Sequence, residues 1–245
     1  MKKKSHLRSI SKTVVITGAS RGIGKAISKV FAKKGYNLVL VSRSEEALKL
    51  VRNDLVKYGN KILVIPADIT KSTDVKHIYK EVFSNFAKVD VLVNNAGTGV
   101  FKPIEKITSK DWDTVMNLNA KGTFLMTREL IKHFKHTKEG MIINILSDVA
   151  KRTFKNGSLY TASKYAQLAF ADTVRKELQP FGIRVTNILP GITATEFAGN
   201  DPTDPIAKKY LRPENISRSV DYIISAPKHI VVDEITLHPL SQLPE

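Results

Sequence analysis

Short runs of β-branched and aliphatic residues alternate along this chain with longer segments whose apolar residues recur at helical spacing. The runs that we predict as strands cover residues 13–17, 37–41, 61–65, 89–93, 141–146, 183–189 and 230–237. Such alternation is typical of βαβ units, in which right-handed crossovers place helices on both faces of a parallel sheet. We therefore predict an α/β fold with a doubly wound parallel sheet of about seven strands.

The length of the chain, 245 residues with 42% hydrophobic content, is sufficient for one large core. No linker-like stretch or internal repeat divides it, so we predict a single domain over residues 12–245, preceded by a basic tail over residues 1–11. Proline and glycine interrupt the helical periodicity late in the chain. This interruption predicts a substrate loop over residues 192–212 that lies above the strand ends.

Several classes of site are excluded by composition. Cysteine is absent, so disulfides, thiol catalysis and zinc–thiolate sites are excluded. The six histidines show neither HxH nor HExxH spacing, and we predict no metal site. No apolar stretch approaches the roughly 18–20 residues that span a bilayer, and the basic N-terminus does not lead into an apolar signal core. We therefore expect a cytoplasmic protein with no membrane partner.

The chain is strongly basic, with 39 Lys and Arg against 23 Asp and Glu and a formal net charge of +16. Such a charge attracts anions, so nucleic acid is one alternative partner, and phosphate-bearing cofactors or acidic substrates are another. The lysines are spread over many predicted helix faces, without interleaved aromatic residues or a nucleic-acid motif. We therefore predict solvated surfaces and no nucleic-acid partner. Nucleic-acid affinity with a steep salt dependence would indicate the alternative.

A glycine-rich segment, residues 17–24, lies between the first predicted strand and a predicted helix. Glycine lets the backbone approach a pyrophosphate closely, and a helix N-terminus offers free N–H groups to anionic oxygens. The glycine order is GxxxGxG rather than GxGxxG, and glycine also serves ordinary turns. The strand before it and the helix after it favour a dinucleotide site made by Gly18, Ser20, Arg21, Gly22, Ile23 and Gly24.

The end of the second predicted strand carries Ser42 and Arg43, where an NAD site would place a carboxylate. Arg43 and Arg21 can bind a 2′-phosphate through charge-assisted hydrogen bonds, so we predict NADP (NADPH) as the cofactor. The alternative for Arg43 is a solvent-facing position at the start of a helix. Asp68 can accept a hydrogen bond from the adenine amine, and it can also cap the turn that follows it.

The fourth predicted strand ends at Asn94, which is followed by Asn95, Ala96 and Gly97. Small and amide residues at this point let the chain turn closely past a cofactor, and the amide of Asn94 can link neighbouring strands. A purely structural turn explains the same residues nearly as well.

Tyr160 and Lys164 stand four residues apart, and Ser147 lies thirteen residues before the tyrosine. A phenol titrates at about pH 10, so a fixed positive charge is needed to make Tyr160 an acid or base at neutral pH. Residues at i and i+4 share one face of a helix, which places Lys164 to supply that charge. Ser147 follows a predicted buried strand, at the carboxyl end where open α/β sheets bind ligands. The alternative is a chance pair, with a half-buried tyrosine and a solvated lysine.

These motifs, in this order and spacing, resemble the short-chain dehydrogenase/reductase family over residues 12–195, and more weakly to the end of the chain. The resemblance implies a Rossmann-type domain with strand order 3-2-1-4-5-6-7. It implies that Tyr160 is the general acid/base and that Lys164 lowers its pKa and binds the nicotinamide ribose. It also implies that Ser147 hydrogen-bonds the substrate oxygen. Cofactor contacts beyond the glycine-rich turn are implied for Tyr160, Lys164, Pro190, Gly191, Ile192, Thr193 and Thr195.

A further implied catalytic residue is Asn119, whose backbone would hold a water that links Lys164 to solvent for proton relay. Its alternative is a local irregularity of the helix. The helices over residues 111–134 and 159–178 commonly pair in this family, so we expect a homodimer or homotetramer.

The activity that the resemblance implies is hydride transfer between NADP(H) and a small carbonyl or alcohol substrate, with Tyr160 as proton donor in reduction. The chain lacks the Asp-Gly-Gly ending of many family members, and residues 231–239 resemble the 3-hydroxy acid and serine-type dehydrogenase branch. Reduction of a 3-oxoacyl thioester on acyl-carrier protein is the alternative within enzymes. An NADPH-binding sensor or regulator is the alternative of another class, and the intact catalytic set argues against it.

Overall fold

In the computed structural model, which describes residues 11–242, the strands form a seven-stranded parallel sheet. The strands are β1 (Thr13–Thr17), β2 (Asn37–Ser42), β3 (Ile62–Pro66), β4 (Val91–Asn94), β5 (Gly140–Ile145), β6 (Ile183–Pro190) and β7 (Glu234–Leu237). The helices are α1 (Gly22–Lys33), α2 (Glu45–Leu55), α3 (Ser72–Asn85), α4 (Ser109–Met116), α5 (Thr123–Thr137), α6 (Ser158–Leu178) and α7 (Pro213–Ser225). The strand order is β3-β2-β1-β4-β5-β6-β7. The predicted fold class and strand order are confirmed.

Both faces of the sheet are buried, which explains why its strands are continuous apolar runs rather than alternating ones. In β1, Val14 and Ile16 pack in a core with side chains of α1, α2 and α7. The residue between them, Val15, packs in the opposite core with side chains of α3, α5 and α6. Successive strand residues therefore support helices on opposite faces of one sheet.

The last strand is shorter than predicted. It begins at Glu234 rather than at residue 230, because only residues 234–237 pair with β6. Ile230 and Val231 are 42% and 38% exposed, so these apolar side chains belong to a loop. In the predicted substrate loop, helical structure is limited to two short 3₁₀ turns, Phe197–Gly199 and Pro205–Lys209. The predicted basic tail lies, apart from residue 11, outside the described residues.

A row of amide side chains ties the carboxyl halves of three strands together. Nδ2 of Asn94 donates to Oδ1 of Asn144 at 3.0 Å, and Nδ2 of Asn144 donates to Oδ1 of Asn187 at 3.0 Å. Asn187 in turn donates to Asp172 of α6 at 3.0 Å. The prediction that Asn94 links neighbouring strands is confirmed, and the row holds β4, β5 and β6 in register beside α6.

The order of the strands reverses between β1 and β4, which places a crevice above their carboxyl ends, the usual position of ligands in open α/β sheets. Among residues 11–242, no helix has both the length and the apolar character needed to cross a bilayer.

Candidate active site

The glycine-rich turn after β1 lines a cleft of about 920 Å³, here called the cofactor cleft, above the carboxyl ends of β1 to β4. Gly18 and Gly22 adopt φ angles of +63° and +50°, in the left-handed region that favours glycine. At Gly24, a Cβ atom would collide with the carbonyl oxygen of Gly18 and the side-chain amide of Asn95. Backbone conformation and close packing therefore account for the glycines.

The start of α1 is arranged for an anion. Arg21 precedes the helix in an extended conformation, and no side chain within residues 11–242 caps this end. The first-turn amides, including that of Ile23, are thus available to anionic oxygens. The Ile23 side chain itself packs against the core, whereas Ser20 and Arg21 line the cofactor cleft.

Arg21 and Arg43 are both exposed and line the same cleft. Arg43 directly precedes Ser44, whose hydroxyl oxygen accepts from the amide of Ala47 at 3.2 Å and caps α2. Arg43 therefore lies both at the start of a helix and at the cofactor cleft. This position agrees with the structural alternative and with the predicted binding role.

Asp68 also lines the cofactor cleft, directly after β3. Its Oδ1 accepts from the amide and the hydroxyl group of Thr70, at 3.0 and 2.8 Å. Although burial acts in the opposite direction, these hydrogen bonds hold the pKa of Asp68 below its ordinary value. The turn-capping role is observed, and the contact with adenine stays a prediction.

The segment after β4 is fastened to the glycine-rich turn. The amides of Asn95 and Ala96 donate to Oγ1 of Thr17, at 3.0 and 3.1 Å. The side-chain amide of Asn95 donates to the carbonyl oxygens of Thr17 and Gly18, both at 3.0 Å. Asn95, Ala96 and Gly97 all line the cofactor cleft, but the Asn95 side chain serves the turn itself.

The predicted catalytic residues come together at the ends of β5 and α6. Ser147 follows β5, and Tyr160 lies in the first turn of α6, where its hydroxyl group is hydrogen-bonded to Ser147. Nζ of Lys164 lies 5.7 Å from the centre of the Tyr160 ring. A Cβ atom at Gly97 would lie 3.6 Å from this Nζ, so Lys164 reaches the edge of the cofactor cleft.

Burial dominates the ionisation of this pair. It raises the pKa of the Tyr160 phenol above its ordinary value, whereas the hydrogen bond with Ser147 acts to lower it. Burial also lowers the pKa of Lys164 to about 7. The role of Lys164 in lowering the pKa of Tyr160 stays a prediction.

Asn119 is fully buried in a π-helical turn, Asn117–Gly122, between α4 and α5. Its side-chain amide donates to the carbonyl oxygen of Thr98 and to Oγ of Ser163, both at 2.9 Å, and its Oδ1 accepts from the amide of Thr98. Its carbonyl oxygen accepts from Oγ1 of Thr123 at 2.7 Å. The alternative given for Asn119, a local irregularity of the helix, is observed here. Such π turns are also frequent at functional sites. The proposed water relay stays a prediction.

The chain after β6 runs from Pro190 past the glycine-rich turn. The amide of Gly191 donates to the carbonyl oxygen of Leu237 at 2.7 Å, and Oγ1 of Thr193 donates to the carbonyl oxygen of Gly191 at 3.0 Å. A Cβ atom at Gly22 would lie 3.2 Å from the Thr195 methyl carbon. Thr195 thus faces the cofactor turn, whereas the side chain of Ile192 is 45% exposed.

A second cleft of about 780 Å³, here called the substrate cleft, opens beside Ser147 and Tyr160. One wall is aromatic: the rings of Phe101 and Phe197 lie 5.4 and 5.5 Å from the Tyr160 ring, and Phe154 lies 5.8 Å from Phe101. Another part of its lining is polar and includes Asp148, Arg152 and Gln242. Pro190, Gly191, Ile192, Thr193 and Thr195 line the same cleft.

At the substrate cleft, the sequence patterns did not indicate the aromatic wall, Asp148 or Gln242. At the cofactor cleft, they did not indicate the lining residues in and just after α4, which are Lys110, Asp113, Thr114 and Asn117. Asp148 carried a usable signal, because it is an acid directly after Ser147. Gln242 carried none, since its contact with Asp148 joins residues 94 positions apart. Within the described part of the chain, no three His, Asp or Glu side chains are grouped in a way that could hold a metal ion.

Two staphylococcal proteins are similar in sequence to this chain along nearly its whole length. An uncharacterized oxidoreductase of Staphylococcus epidermidis is 33% identical over 229 residues, which cover 94% of this chain and 97% of that protein. An uncharacterized oxidoreductase of Staphylococcus aureus is 32% identical, with the same coverage.

Several solved structures are also similar to this chain in fold and in sequence. An alcohol dehydrogenase from the archaeon Thermococcus sibiricus, complexed with 5-hydroxy-NADP, superposes with a TM-score of 0.91 at 33% identity, covering 96% of this chain and 99% of that one. A serine dehydrogenase complexed with NADP⁺ gives a TM-score of 0.87 at 27% identity, covering 95% and 96%. A 3-ketoacyl-(acyl-carrier-protein) reductase from Brucella melitensis, complexed with NADH, gives 0.85 at 29% identity, covering 95% and 99%.

The sequence profile of one family, described as short chain dehydrogenase, matches residues 12–205, a segment that contains the glycine-rich turn, Asn119, Ser147, Tyr160 and Lys164. With the fold and the relatives in agreement, this chain is an oxidoreductase of the short-chain dehydrogenase family.

Proposed function

We propose that this protein transfers hydride between NADP(H) and a small carbonyl or alcohol substrate, with Tyr160 as the general acid/base. The observation that carries the proposal is the meeting of Ser147, Tyr160 and Lys164 between the two clefts. Ser147 and Tyr160 line the substrate cleft, and Lys164 reaches Gly97 at the cofactor cleft. A bound dinucleotide and a bound carbonyl would therefore meet at the phenol.

NADP is the proposed cofactor because Arg21 and Arg43 both line the cofactor cleft, and guanidinium groups suit a 2′-phosphate. The similar alcohol and serine dehydrogenases are complexed with 5-hydroxy-NADP and NADP⁺. The Gly22–Gly24 amides would receive the pyrophosphate, and Asp68 would receive the adenine amine.

When held in the cofactor cleft, NADPH would supply the hydride that the carbonyl carbon of the substrate receives in the reductive direction. Tyr160 donates its phenolic proton to the carbonyl oxygen, and Ser147 donates a hydrogen bond to the same oxygen. Burial raises the pKa of the phenol, so Tyr160 carries the proton that this step needs at neutral pH. Lys164, with its pKa lowered to about 7, can both give and take a proton there, which suits reprotonation of Tyr160 after each turnover.

The proposed substrate is a small carbonyl compound that packs against the aromatic wall, with residues 192–212 as the loop above it. A 3-oxoacyl thioester is the second candidate, favoured by the likeness to the Brucella melitensis reductase. We also propose a homodimer or homotetramer in the cytoplasm. The proposed contact is the α5–α6 face, defined as Phe124, Arg128, Tyr165 and Phe170, because Phe124 and Tyr165 are 38% and 43% exposed.

The test is an activity assay that monitors the absorbance of the reduced nicotinamide. Purified protein is mixed with NADPH or NADH and, in turn, with short keto acids, aldehydes, diketones and an acetoacetyl thioester. We expect turnover with NADPH, and the preferred compound decides between the two substrate classes. Tyr160→Phe should lower kcat about 100-fold or more, because no other acid replaces the phenol. NADPH affinity should stay unchanged.

Tyr222→Phe is the matched control, since Tyr222 is 64% exposed on α7, outside both clefts. It should keep full activity. Turnover that persists in Tyr160→Phe would contradict the assigned mechanism.

A further inference from the structure

Asp148, the residue directly after Ser147, has its buried carboxylate surrounded by hydrogen-bond donors. Its Oδ1 lies 3.1 Å from the Ser147 hydroxyl group, and its Oδ2 lies 2.7 Å from Nε of Arg152 and 2.5 Å from Nε2 of Gln242. Nε2 of His238 lies 3.3 Å from the same oxygen. With 5% of the residue exposed, the carboxylate is held by Arg152, just after its own turn, and by two residues of the C-terminal segment, His238 and Gln242.

The neighbours of Ser147 set the direction of its hydroxyl proton. The amide of Val149 lies 3.4 Å from Oγ of Ser147 and can only donate to it. Besides a substrate oxygen, the hydroxyl proton of Ser147 has two acceptors within reach, Oδ1 of Asp148 at 3.1 Å and the carbonyl oxygen of Pro190 at 3.5 Å, and the carboxylate is the nearer of the two. Ser147 also contacts the phenol of Tyr160, whose pKa it acts to lower, so this one hydroxyl group lies against both Asp148 and Tyr160.

Gln242 fixes the carboxylate to the chain that leaves β6. Its Oε1 accepts from the amide of Ile192 at 2.9 Å, while its Nε2 donates to Asp148. A side chain at Gly191 would collide with Oε1 of Gln242, so glycine at this position makes room for the bridge. The C-terminal segment thereby joins two walls of the substrate cleft.

We propose that Asp148 is a positioning residue of this active site: its fixed carboxylate holds the hydroxyl group of Ser147 beside Tyr160, from where it can turn to a substrate oxygen, and places a negative charge one side chain away from the phenol. The proposal rests on the function proposed above. It predicts that the site is biased towards carbonyl reduction, which uses the phenol, over alcohol oxidation, which uses the phenolate.

Two charged groups act directly on Tyr160 in this arrangement. Asp148, in the turn after β5, disfavours the phenolate. Lys164 on α6, whose Nζ lies 5.7 Å from the centre of the ring, would favour the phenolate when it is protonated. Arg152 contacts the far oxygen of Asp148 and moderates its charge, and Nε2 of His238 lies 3.3 Å from the same oxygen. The rings that cover Tyr160, Phe101 and Phe197, carry no charge.

The test is Asp148→Asn, which keeps the size of the side chain and removes its charge. We expect kcat for carbonyl reduction to fall about 10-fold, because the orientation of Ser147 is lost, with the KM for NADPH unchanged. The ascending limb of alcohol oxidation against pH should move to lower pH by about half a unit, because a negative charge beside the phenol has gone. A merely structural role would not move this limb.

A double-mutant comparison asks whether Asp148 acts through the serine. In a Ser147→Ala background, Asp148→Asn should lower kcat much less than it does in the wild type, because the group it orients is absent. An equal loss in both backgrounds overturns the proposal. If Asp148→Asn does not fold, Gln242→Ala carries the test, and an unchanged kcat in that variant overturns it.

A measurement without turnover separates this inference from the proposed function. In protein labelled with ¹³C at tyrosine Cζ, the Tyr160 resonance, identified by its loss in Tyr160→Phe, should titrate at lower pH in Asp148→Asn. Identical titration curves overturn the inference. A shifted curve in a protein that reduces no compound of the panel supports Asp148 and overturns the proposed function alone. The control for loss of a carboxylate is Asp54→Asn, because the side chain of Asp54 is exposed on α2. It should leave every readout unchanged.

Discussion

Lys164 is an amine buried to 3% exposure, and burial lowers its pKa to about 7. Because the unfolded chain binds this proton more tightly, the folded state carries an energetic cost below pH about 7. That cost shrinks as the pH rises from the pKa of Lys164 in the folded protein towards its pKa in the unfolded chain, which is about 10.4.

Replacing the amine with an apolar group of similar length should therefore stabilise the protein while it removes a catalytic residue. We expect Lys164→Met to raise the free energy of unfolding by on the order of a few kcal/mol at about pH 6, and by less at about pH 9. Thermal unfolding at both pH values measures the difference. Lys176 is exposed near the end of the same helix, and Lys176→Met should stay within about 0.5 kcal/mol of the wild type. A Lys164→Met protein that is equally or less stable at about pH 6 would contradict the burial cost.

The preference between cofactors should rest largely on Arg43. Arg43→Glu replaces a group that suits a 2′-phosphate with one that suits ribose hydroxyl groups and repels the phosphate. We expect the ratio of kcat/KM for NADPH over NADH to fall roughly 10- to 100-fold, the size of a charge-assisted hydrogen bond. Initial rates with both cofactors check this. The same change at Arg52, exposed further along α2, should leave the ratio unaltered; an unaltered ratio in Arg43→Glu would favour the structural alternative.

At the scale of secondary-structure elements, the amide row of Asn94, Asn144 and Asn187 holds the strand ends on which the site is built. Asn144 is the middle member and is 2% exposed, and it both accepts from Asn94 and donates to Asn187. Its loss leaves polar groups without these partners in the core, which costs more than the hydrogen bonds themselves contribute.

We therefore expect Asn144→Leu to lower the free energy of unfolding by about 2–4 kcal/mol. Urea denaturation followed by circular dichroism measures this. The control, Asn53→Leu on the exposed face of α2, should stay within about 0.5 kcal/mol of the wild type, since Asn53 is exposed. Equal effects of the two changes would argue that the row does not stabilise the sheet.

At the scale of the whole molecule, the α5–α6 face exposes apolar surface that a second copy of the chain would cover. Phe124 packs edge-on against Phe170 at 6.1 Å, and Arg128 lies over the Phe124 ring at 4.9 Å. The double change Phe124→Asp and Tyr165→Asp would place two carboxylates in this contact. Burying unpaired charges is unfavourable, so the assembly should dissociate.

Light scattering coupled to size-exclusion chromatography should give the mass of a dimer or tetramer for the wild type and that of a monomer, 27.3 kDa, for the double variant. Phe83→Asp, which changes a 40% exposed ring on α3, should keep the wild-type mass. A wild-type monomer, or an unchanged mass in the double variant, would contradict the proposed contact.

The amino-acid sequence alone was sufficient to predict the fold class, six of the seven strands to within about two residues, and the family to which the chain belongs. It could do so because strand and helix periodicity, the glycine-rich turn and the Tyr160–Lys164 spacing are local patterns, each written in a short segment. It placed the start of β7 too early, because the apolar residues at 230 and 231 have strand-like composition although they do not pair with β6.

The surroundings of the catalytic residues became visible only in the three-dimensional structure. Phe101, Phe154 and Phe197 come from three separate loops, and Gln242 reaches Asp148 across 94 positions of sequence. The burial that lowers the pKa of Lys164 likewise depends on elements that pack around α6 from elsewhere in the chain. Distances and burial of this kind follow from how the elements pack, and no local spacing in the sequence encodes them.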